Sequence, residues 1–233
     1  ACQQSQDPPF LAALPARRDT VAPFHRLLYL SQRYASCLHK IPWHRIADSE
    51  IPEPGFEAKP GLNTDLDVAA VDRWLARRTD SRPLFLIVAD HSPHVVWTER
   101  ATFDPAEVDV PPHHIDTPDT RRARARYYTD IEKMDRNLAA LISSLQSHAL
   151  GDNTAFLITS DQGAQWAFSK WTLYDAGISV PLLVRWPGKT RPGTHTDALV
   201  SLVDIVPTLL EGVGAPVPVG LDGKSFLGVV FGR

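Results

Sequence analysis

The side chains best suited to chemistry lie in two polar segments, each of which follows a short apolar run. Residues 83–89 (PLFLIVA) lead into Asp90-His91-Ser92-Pro93-His94, and residues 154–160 (TAFLITS) lead into Asp161-Gln162-Gly163. Because ligands bind beyond the carboxyl ends of parallel strands in open α/β sheets, we expect both segments at one edge of a sheet. Asp, Ser, Pro and Gly also favour simple strand-ending turns, so a turn and a functional site remain alternatives.

Asp161 and Gln162 offer oxygen ligands, which suit Ca²⁺ or Mg²⁺ rather than Zn²⁺. Calcium takes six to eight oxygens, so further ligands must come from elsewhere. Lys170 follows in the next loop and could place a positive charge over an anionic substrate. The alternative is that Lys170 is a solvated surface residue.

The elements that must position these residues follow from the hydrophobic pattern. The two apolar runs and a third at residues 180–186 (VPLLVRW) are typical of buried parallel strands. Apolar residues at helical spacing predict helices over about 120–150, 65–78 and 204–213. Strands that alternate with helices predict an α/β fold with a mainly parallel sheet.

Composition excludes several classes of protein. Of the 233 residues, 43% are hydrophobic and 22% are charged, which is close to the average of globular proteins. The formal net charge of −3 gives no basic field for nucleic acid, and no apolar run reaches the roughly 20 residues of a membrane span. The two cysteines, Cys2 and Cys37, do not form a paired metal-ligand motif.

An ordered set of motifs resembles the sulfatase family, and most of all its heparan N-sulfatase (sulfamidase) branch. Residues 160–188 (SDQGAQWAFSKWTLYDAGISVPLLVRWPG) are similar to the family segment TSDHG or TSDNG, a basic residue, LYEGG and VPLIVRWPG. Four further segments match family motifs and occur along the chain in the family's order. They are H-x-P-H at residues 91–94, the Met134-Asp135 pair, SLVDIVPTLL at 201–210 and LDGKSF at 221–226.

The resemblance implies a three-layer α/β/α sandwich of the alkaline-phosphatase type. Residues 1–233 would form part of one catalytic domain, with a divergent segment at 1–60 and a well-matched core at 61–228. The family's first strand and its C-terminal subdomain have no counterpart here. We therefore expect an internal fragment of a longer enzyme, with little or no activity by itself.

Site roles carry over from the family position by position. Asp161 matches the calcium-binding aspartate, and Gln162 takes the next ligand position, where the family has His or Asn. His94 matches the residue that contacts the sulfate and the leaving oxygen, and Lys170 matches the basic residue that grips the sulfate. The resemblance gives His91 a supporting place beneath His94.

Three further catalytic residues are implied in the N-terminal third. Cys2 falls at the C-x-P-S-R motif, whose cysteine is oxidised to formylglycine, although Gln4 and Gln6 replace the proline and the arginine. Lys40 and His44 resemble the lysine and histidine of G-K-W-H, at a wider spacing. The alternatives are a structural cysteine and a surface loop.

The implied function is calcium- and formylglycine-dependent hydrolysis of a sulfuric ester or sulfamate on a sulfated sugar or glycan. The implied partners are that carbohydrate and a formylglycine-generating enzyme, without nucleic acid, and the implied compartment is periplasmic, extracellular or lysosome-like. Two alternatives stay open. One is a phosphate or phosphonate monoester hydrolase of the same fold. The other is a non-catalytic homologue that binds sulfated glycans, which Gln4, Gln6 and Gln162 favour.

Other conspicuous side chains are expected to be structural. The arginines between residues 121 and 126 are typical of a solvated helix face, and His113-His114 is typical of an exposed loop. Five tryptophans are expected to pack in the core or in cleft walls, with stacking on a sugar as the alternative for Trp97 and Trp166. They are Trp43, Trp97, Trp166, Trp171 and Trp186.

Overall fold

The computed structural model describes residues 27–30, 66–79, 83–88 and 90–233. Its elements are β1 (Leu27–Leu30), α1 (Val68–Arg77), β2 (Phe85–Val88), α2 (Pro118–Ser147), β3 (Phe156–Thr159), α3 (Asp175–Ile178), β4 (Leu182–Arg185), a 3₁₀ turn (Leu202–Asp204), α4 (Ile205–Gly212) and α5 (Leu227–Val230). The three predicted helices are confirmed as α1, α2 and α4, and the three predicted strands as β2, β3 and β4.

The helices begin where local capping chemistry allows it. The side chain of Asp67 accepts a hydrogen bond from Ala70 N at 2.9 Å, so it caps α1. Thr117 caps α2 by accepting from Thr120 N at 3.1 Å, with Pro118 in the first turn, where a missing N–H does no harm. In the described part of the chain, no helix combines the length and the apolarity that crossing a bilayer requires.

The strands form one parallel pair and one antiparallel pair. β1 pairs with β2 in parallel, with Leu27 opposite Phe85, whereas β3 and β4 are antiparallel, with Phe156 opposite Arg185. The prediction of a parallel strand at residues 180–186 is therefore wrong, because β4 runs antiparallel to its partner β3. β4 alternates between half-buried and exposed positions, and Leu183 is 56% exposed. That two-residue period is typical of an antiparallel strand with one solvated face.

The main core lies where α1 and α2 pack over β2 and β3. Its buried members are Val71 and Leu75 of α1, Leu141 and Leu145 of α2, and Phe156 of β3. Because the α2 members recur at i and i+4, one stripe of that helix faces the strands. The packing fixes the ends of β2 and β3, from which the polar segments emerge.

Asp204 joins two distant motifs of the chain. Its carboxylate accepts hydrogen bonds from Ser201 N at 2.8 Å and from Lys224 N at 2.7 Å, twenty residues away. Thr208 extends the link, because its Oγ1 donates to Asp204 O and accepts from Phe226 N. These hydrogen bonds hold the segments 201–210 and 221–226 against each other.

We expect Asp204→Asn to destabilise the protein in a pH-dependent way. Hydrogen bonds from Lys224 N and then Ser201 N hold the pKa of the Asp204 carboxyl below its ordinary value. A lowered pKa contributes stability that is complete above about pH 4 and is lost as the pH falls through the folded-state pKa. The melting-temperature difference between wild type and Asp204→Asn, followed by circular dichroism, should therefore shrink in acid.

The matched control is Asp222→Asn, which removes an exposed carboxylate from the segment that contains Lys224. A melting-temperature difference for Asp204→Asn that is constant from about pH 6 to about pH 3 would contradict the assignment, because it would mean that the two backbone bonds do not depend on the charge.

Candidate active site

His94 and Lys170 form the centre of the candidate site. Lys170 Nζ lies 2.8 Å from His94 Nε2, although the two residues are 76 positions apart in the chain. Both side chains are half-buried. A lysine ammonium can only donate, so His94 Nε2 accepts this hydrogen bond. The Lys170 ammonium and the His94 imidazole, a ring that can carry a proton, therefore lie side by side.

The orientation of the His94 ring is set by its own loop. His94 Nδ1 lies 2.5 Å from Val95 O, and because a carbonyl only accepts, Nδ1 carries the proton. His94 N donates to His91 O at 2.8 Å, and the two imidazole rings pack 5.0 Å apart. His91 therefore packs against His94, as the sequence predicts.

Asp90 ties that loop to the strands and to α2. Its Oδ1 accepts from Ser92 N at 3.1 Å, which forms an Asx turn at the end of β2. Its Oδ2 accepts from Asn137 Nδ2 at 2.8 Å. Asp90 is thus a positioning residue for His94, and its carboxylate serves the turn rather than a metal.

Lys170 is held in place by a compact loop after β3. Lys170 N donates to Ala164 O at 3.0 Å, and the buried Ser169 donates through Oγ to Ala176 O at 2.6 Å. Gly163 N donates to Gly177 O at 2.9 Å, which brings the end of β3 against α3. The loop therefore presents Lys170 on a backbone frame that is hydrogen-bonded at several points.

Asp161 and Gln162 lie at the start of this loop, at the end of β3. Asp161 is exposed and Gln162 is half-buried, with Gln162 O accepting from Ser160 Oγ at 2.9 Å. Their oxygens suit calcium in kind, but the described residues hold no cluster of three His, Cys, Asp or Glu side chains. Because calcium takes six to eight oxygens, Asp161 and Gln162 alone do not complete such a site.

Arg124 is a site residue that the sequence does not reveal. It lies in α2, is only 7% exposed, and donates from Nε to Asp109 O at 2.5 Å. Its guanidinium lies 5.1 Å from the ring of Trp166 and 3.5 Å from His114 Nδ1, while His114 Nε2 donates to Ala167 O at 3.2 Å. Arg124 therefore braces the loop that carries Lys170.

The expectation of a solvated arginine face is accordingly wrong at two positions. Arg124 is buried, and Arg121 clamps the loop before α2 through paired bonds of 2.7 Å to Asp116 and bonds of 3.2 Å to Ala106 O and Val108 O. The Asp116 carboxylate raises the pKa of Arg121. Arg122 and Arg126 are exposed, as predicted.

A pocket beside His94 contains two more charged residues of α2. Asp130 and Lys133 line it together with His91, Ser92, His94, Val96 and Thr98. Asp130 is buried and accepts a hydrogen bond from Thr98 N at 3.2 Å. Residues three apart on a helix share a face, so the spacing of Asp130 and Lys133 in the sequence could have indicated that they line the same pocket.

The tryptophans divide into two groups. Trp97 and Trp166 stack on each other with ring centroids 4.7 Å apart, and Arg124 lies over Trp166. They are therefore structural, as expected. Trp171 instead is 83% exposed, which overturns the expectation that it packs in the core or in a cleft wall. Trp43 lies outside the described residues.

Cys2, Lys40 and His44 also lie outside the described residues. Their catalytic roles remain predictions.

Comparison with solved structures identifies the fold. A phosphonate monoester hydrolase from Silicibacter pomeroyi matches with a TM-score of 0.60 and 23% sequence identity, over 78% of this chain and 46% of that chain. The fold is of the alkaline-phosphatase type, as predicted.

Sequence comparisons identify the family. The family model described as Sulfatase matches residues 23–215, so the chain belongs to the sulfatase family. Human N-sulphoglucosamine sulphohydrolase is 31% identical over 211 residues, covering 75% of this chain and 42% of that protein. An ulvan-active sulfatase from Formosa agariphila is 33% identical over 112 residues, covering 48% of this chain and 22% of that protein. The chain thus spans less than half the length of these relatives.

Proposed function

We propose that the complete protein hydrolyses a sulfuric ester or a sulfamate on a sulfated sugar or glycan. The observation that carries the proposal is the 2.8 Å contact between Lys170 Nζ and His94 Nε2, at the two positions that match the sulfate-binding residues of the family. The 31% identity to human N-sulphoglucosamine sulphohydrolase supports a sulfated amino sugar as substrate. The family resemblance alone suggests a periplasmic, extracellular or lysosome-like compartment.

The two residues have complementary tasks. The Lys170 ammonium can transfer its hydrogen bond from His94 to an oxygen of the anion, where its charge stabilises the negative charge of the transition state. The His94 ring nitrogen Nε2 then faces the leaving oxygen or nitrogen and can hold the proton that this atom needs. The Nδ1 bond to Val95 O keeps the ring in this orientation throughout.

Asp161 and Gln162 would contribute oxygen ligands to a calcium ion, completed by residues outside the described part of the chain. Such an ion supplies positive charge to the sulfate oxygens when it is bound. We assign the nucleophile to Cys2 after its conversion to formylglycine by a generating enzyme, with Lys40 and His44 as further catalytic groups. The family match begins at residue 23, so the assignment of Cys2 depends on its short local motif.

We expect the product of the complete gene to release sulfate from an N-sulfoglucosamine or an O-sulfated sugar, and to do so faster than it hydrolyses a matched phosphonate monoester. The measurement is the ratio of kcat/KM for the two substrates, with a chelator-treated sample to test the metal. A ratio that favours the phosphonate would support the phosphonate hydrolase instead. Tight binding of the sulfated sugar without turnover would support the non-catalytic homologue.

A further inference from the structure

We propose that Trp171 is a specificity-determining residue that stacks against the ring of the sulfated sugar. This inference depends on the proposed function, because it needs the sulfate to bind at Lys170. It assigns the recognition of the sugar to a residue whose backbone neighbours the anion-binding lysine.

Exposure and position distinguish Trp171 from the other tryptophans near the site. Its side chain is 83% exposed, whereas the rings of Trp97 and Trp166 cover each other at 4.7 Å. The ring of Trp171 lies 5.6 Å from Lys170 Nζ. A large aromatic surface is therefore open directly beside the positive charge that approaches His94.

The backbone of Trp171 holds it in an unusual conformation. Its φ is +67°, in the left-handed region that bulky side chains avoid. Phe168, on the other side of the Ser169-Lys170 pair, has a φ of +59°. Strain of this kind persists where surrounding bonds enforce it, and it is concentrated at functional sites.

The bonds that enforce the strain are those of the Lys170 loop. Thr172 N donates to Ser169 O at 3.0 Å, and Thr172 Oγ1 donates to the same carbonyl at 2.6 Å. Together with the bond from Lys170 N to Ala164 O, they close the turn on both sides of Trp171. The turn fixes the indole relative to the ammonium, so little ordering remains for a ligand to impose.

The ligand that fits this arrangement has an anionic group close to an apolar face. A pyranose ring has faces of C–H groups that pack on an aromatic ring, and a sulfate or sulfamate on that ring provides the anion for Lys170. The short separation between the cation and the indole favours the sugar that carries the sulfate itself. An unsubstituted anion, such as inorganic sulfate, would contact Lys170 without needing Trp171.

The test compares the binding of two probes by calorimetry, so it does not depend on turnover. The probes are a heparin disaccharide that contains N-sulfoglucosamine, and inorganic sulfate as the competing anion. We expect Trp171→Ala to weaken disaccharide binding about tenfold, which corresponds to the loss of one aromatic contact, and to leave sulfate binding unchanged. Trp171→Phe should restore most of the affinity, and Leu173→Ala, at a position that is 89% exposed in the same loop, should change nothing.

Trp171→Gly separates recognition from a structural role. Glycine adopts a positive φ without strain, so this variant should melt at the same temperature as wild type or higher, yet lose the same disaccharide affinity. A lower melting temperature, or equal losses for Trp171→Ala and Leu173→Ala, would overturn the inference, because Trp171 would then pack against another part of the protein. If Lys170→Ala leaves sulfate binding intact, both the proposed function and this inference fail. If Lys170→Ala abolishes sulfate binding but the Trp171 variants bind the disaccharide as wild type does, this inference alone fails.

Discussion

Lys170→Ala should lower kcat/KM for a sulfated sugar by roughly 100-fold to 1000-fold, the range by which the loss of one preorganised hydrogen-bond donor lowers kcat in other enzymes. Lys170 Nζ is the cation that contacts His94 Nε2, at 2.8 Å, and the loop around it is hydrogen-bonded in place before any substrate arrives. Alanine would remove both the charge to which we assign anion binding and the donor that contacts His94. Steady-state kinetics on the product of the complete gene provides the measurement.

Two variants make the Lys170 result specific. Lys170→Arg keeps the positive charge but changes the donor geometry, so it should retain part of the activity. Lys189→Ala removes an exposed lysine after β4 and should leave kcat/KM unchanged. Activity of Lys170→Ala within a few-fold of wild type would rule out its role in anion binding.

Gly163→Ala should destabilise the protein by about 3 kcal/mol and disrupt the site at the same time. A Cβ at this position would lie 1.9 Å from Ala176 O and 2.5 Å from Ser169 Oγ, so the chain would have to move apart. The affected contact joins the residues after Asp161 and Gln162 to the loop that carries Lys170. Chemical denaturation measures the stability, and calorimetry with inorganic sulfate measures the site.

The matched control for Gly163 is Gly228→Ala in α5. Among the described residues, no atom beyond the chain neighbours of Gly228 and its own helix backbone lies within 4 Å of the added methyl group, and alanine is the better helix former. We expect this variant to gain up to about 1 kcal/mol in stability. Equal stability of Gly163→Ala and wild type would show that the loop tolerates the side chain and that the close approach is not needed.

The spacing of apolar residues predicts the helices and strands of this chain well, because that spacing is a property of the local sequence. The stripe of apolar residues in α2 specifies a helix whatever surrounds it, and the observed range of Pro118–Ser147 agrees with the prediction of about 120–150. The direction of β4 was not predictable in this way, because Leu183 is apolar even though it faces outward. An apolar residue on the solvated face conceals the two-residue period that separates the two kinds of strand.

The candidate site shows a different limit. The pairing of His94 with Lys170 depends on how segments 76 positions apart come together, and only the family resemblance points to it. Charge misleads at Arg124, since an arginine in a helix is usually solvated, and only the tertiary contacts show that it is buried under a tryptophan. At Trp171 the error is the reverse, because a large aromatic residue is usually buried.

Helix α2 serves both the core and the site, and this has a consequence for how they unfold. Leu141 and Leu145, near its end, pack on Phe156, while Arg124 and Asn137 brace the loops of Lys170 and His94. A continuous helix of 30 residues spans about 45 Å, so it connects the interior to the edge that carries the candidate site. Because one helix contributes to both, loss of α2 would remove the packing of the core and the bracing of the site together, so we expect the two to unfold as one cooperative unit apart from local fraying at the helix ends.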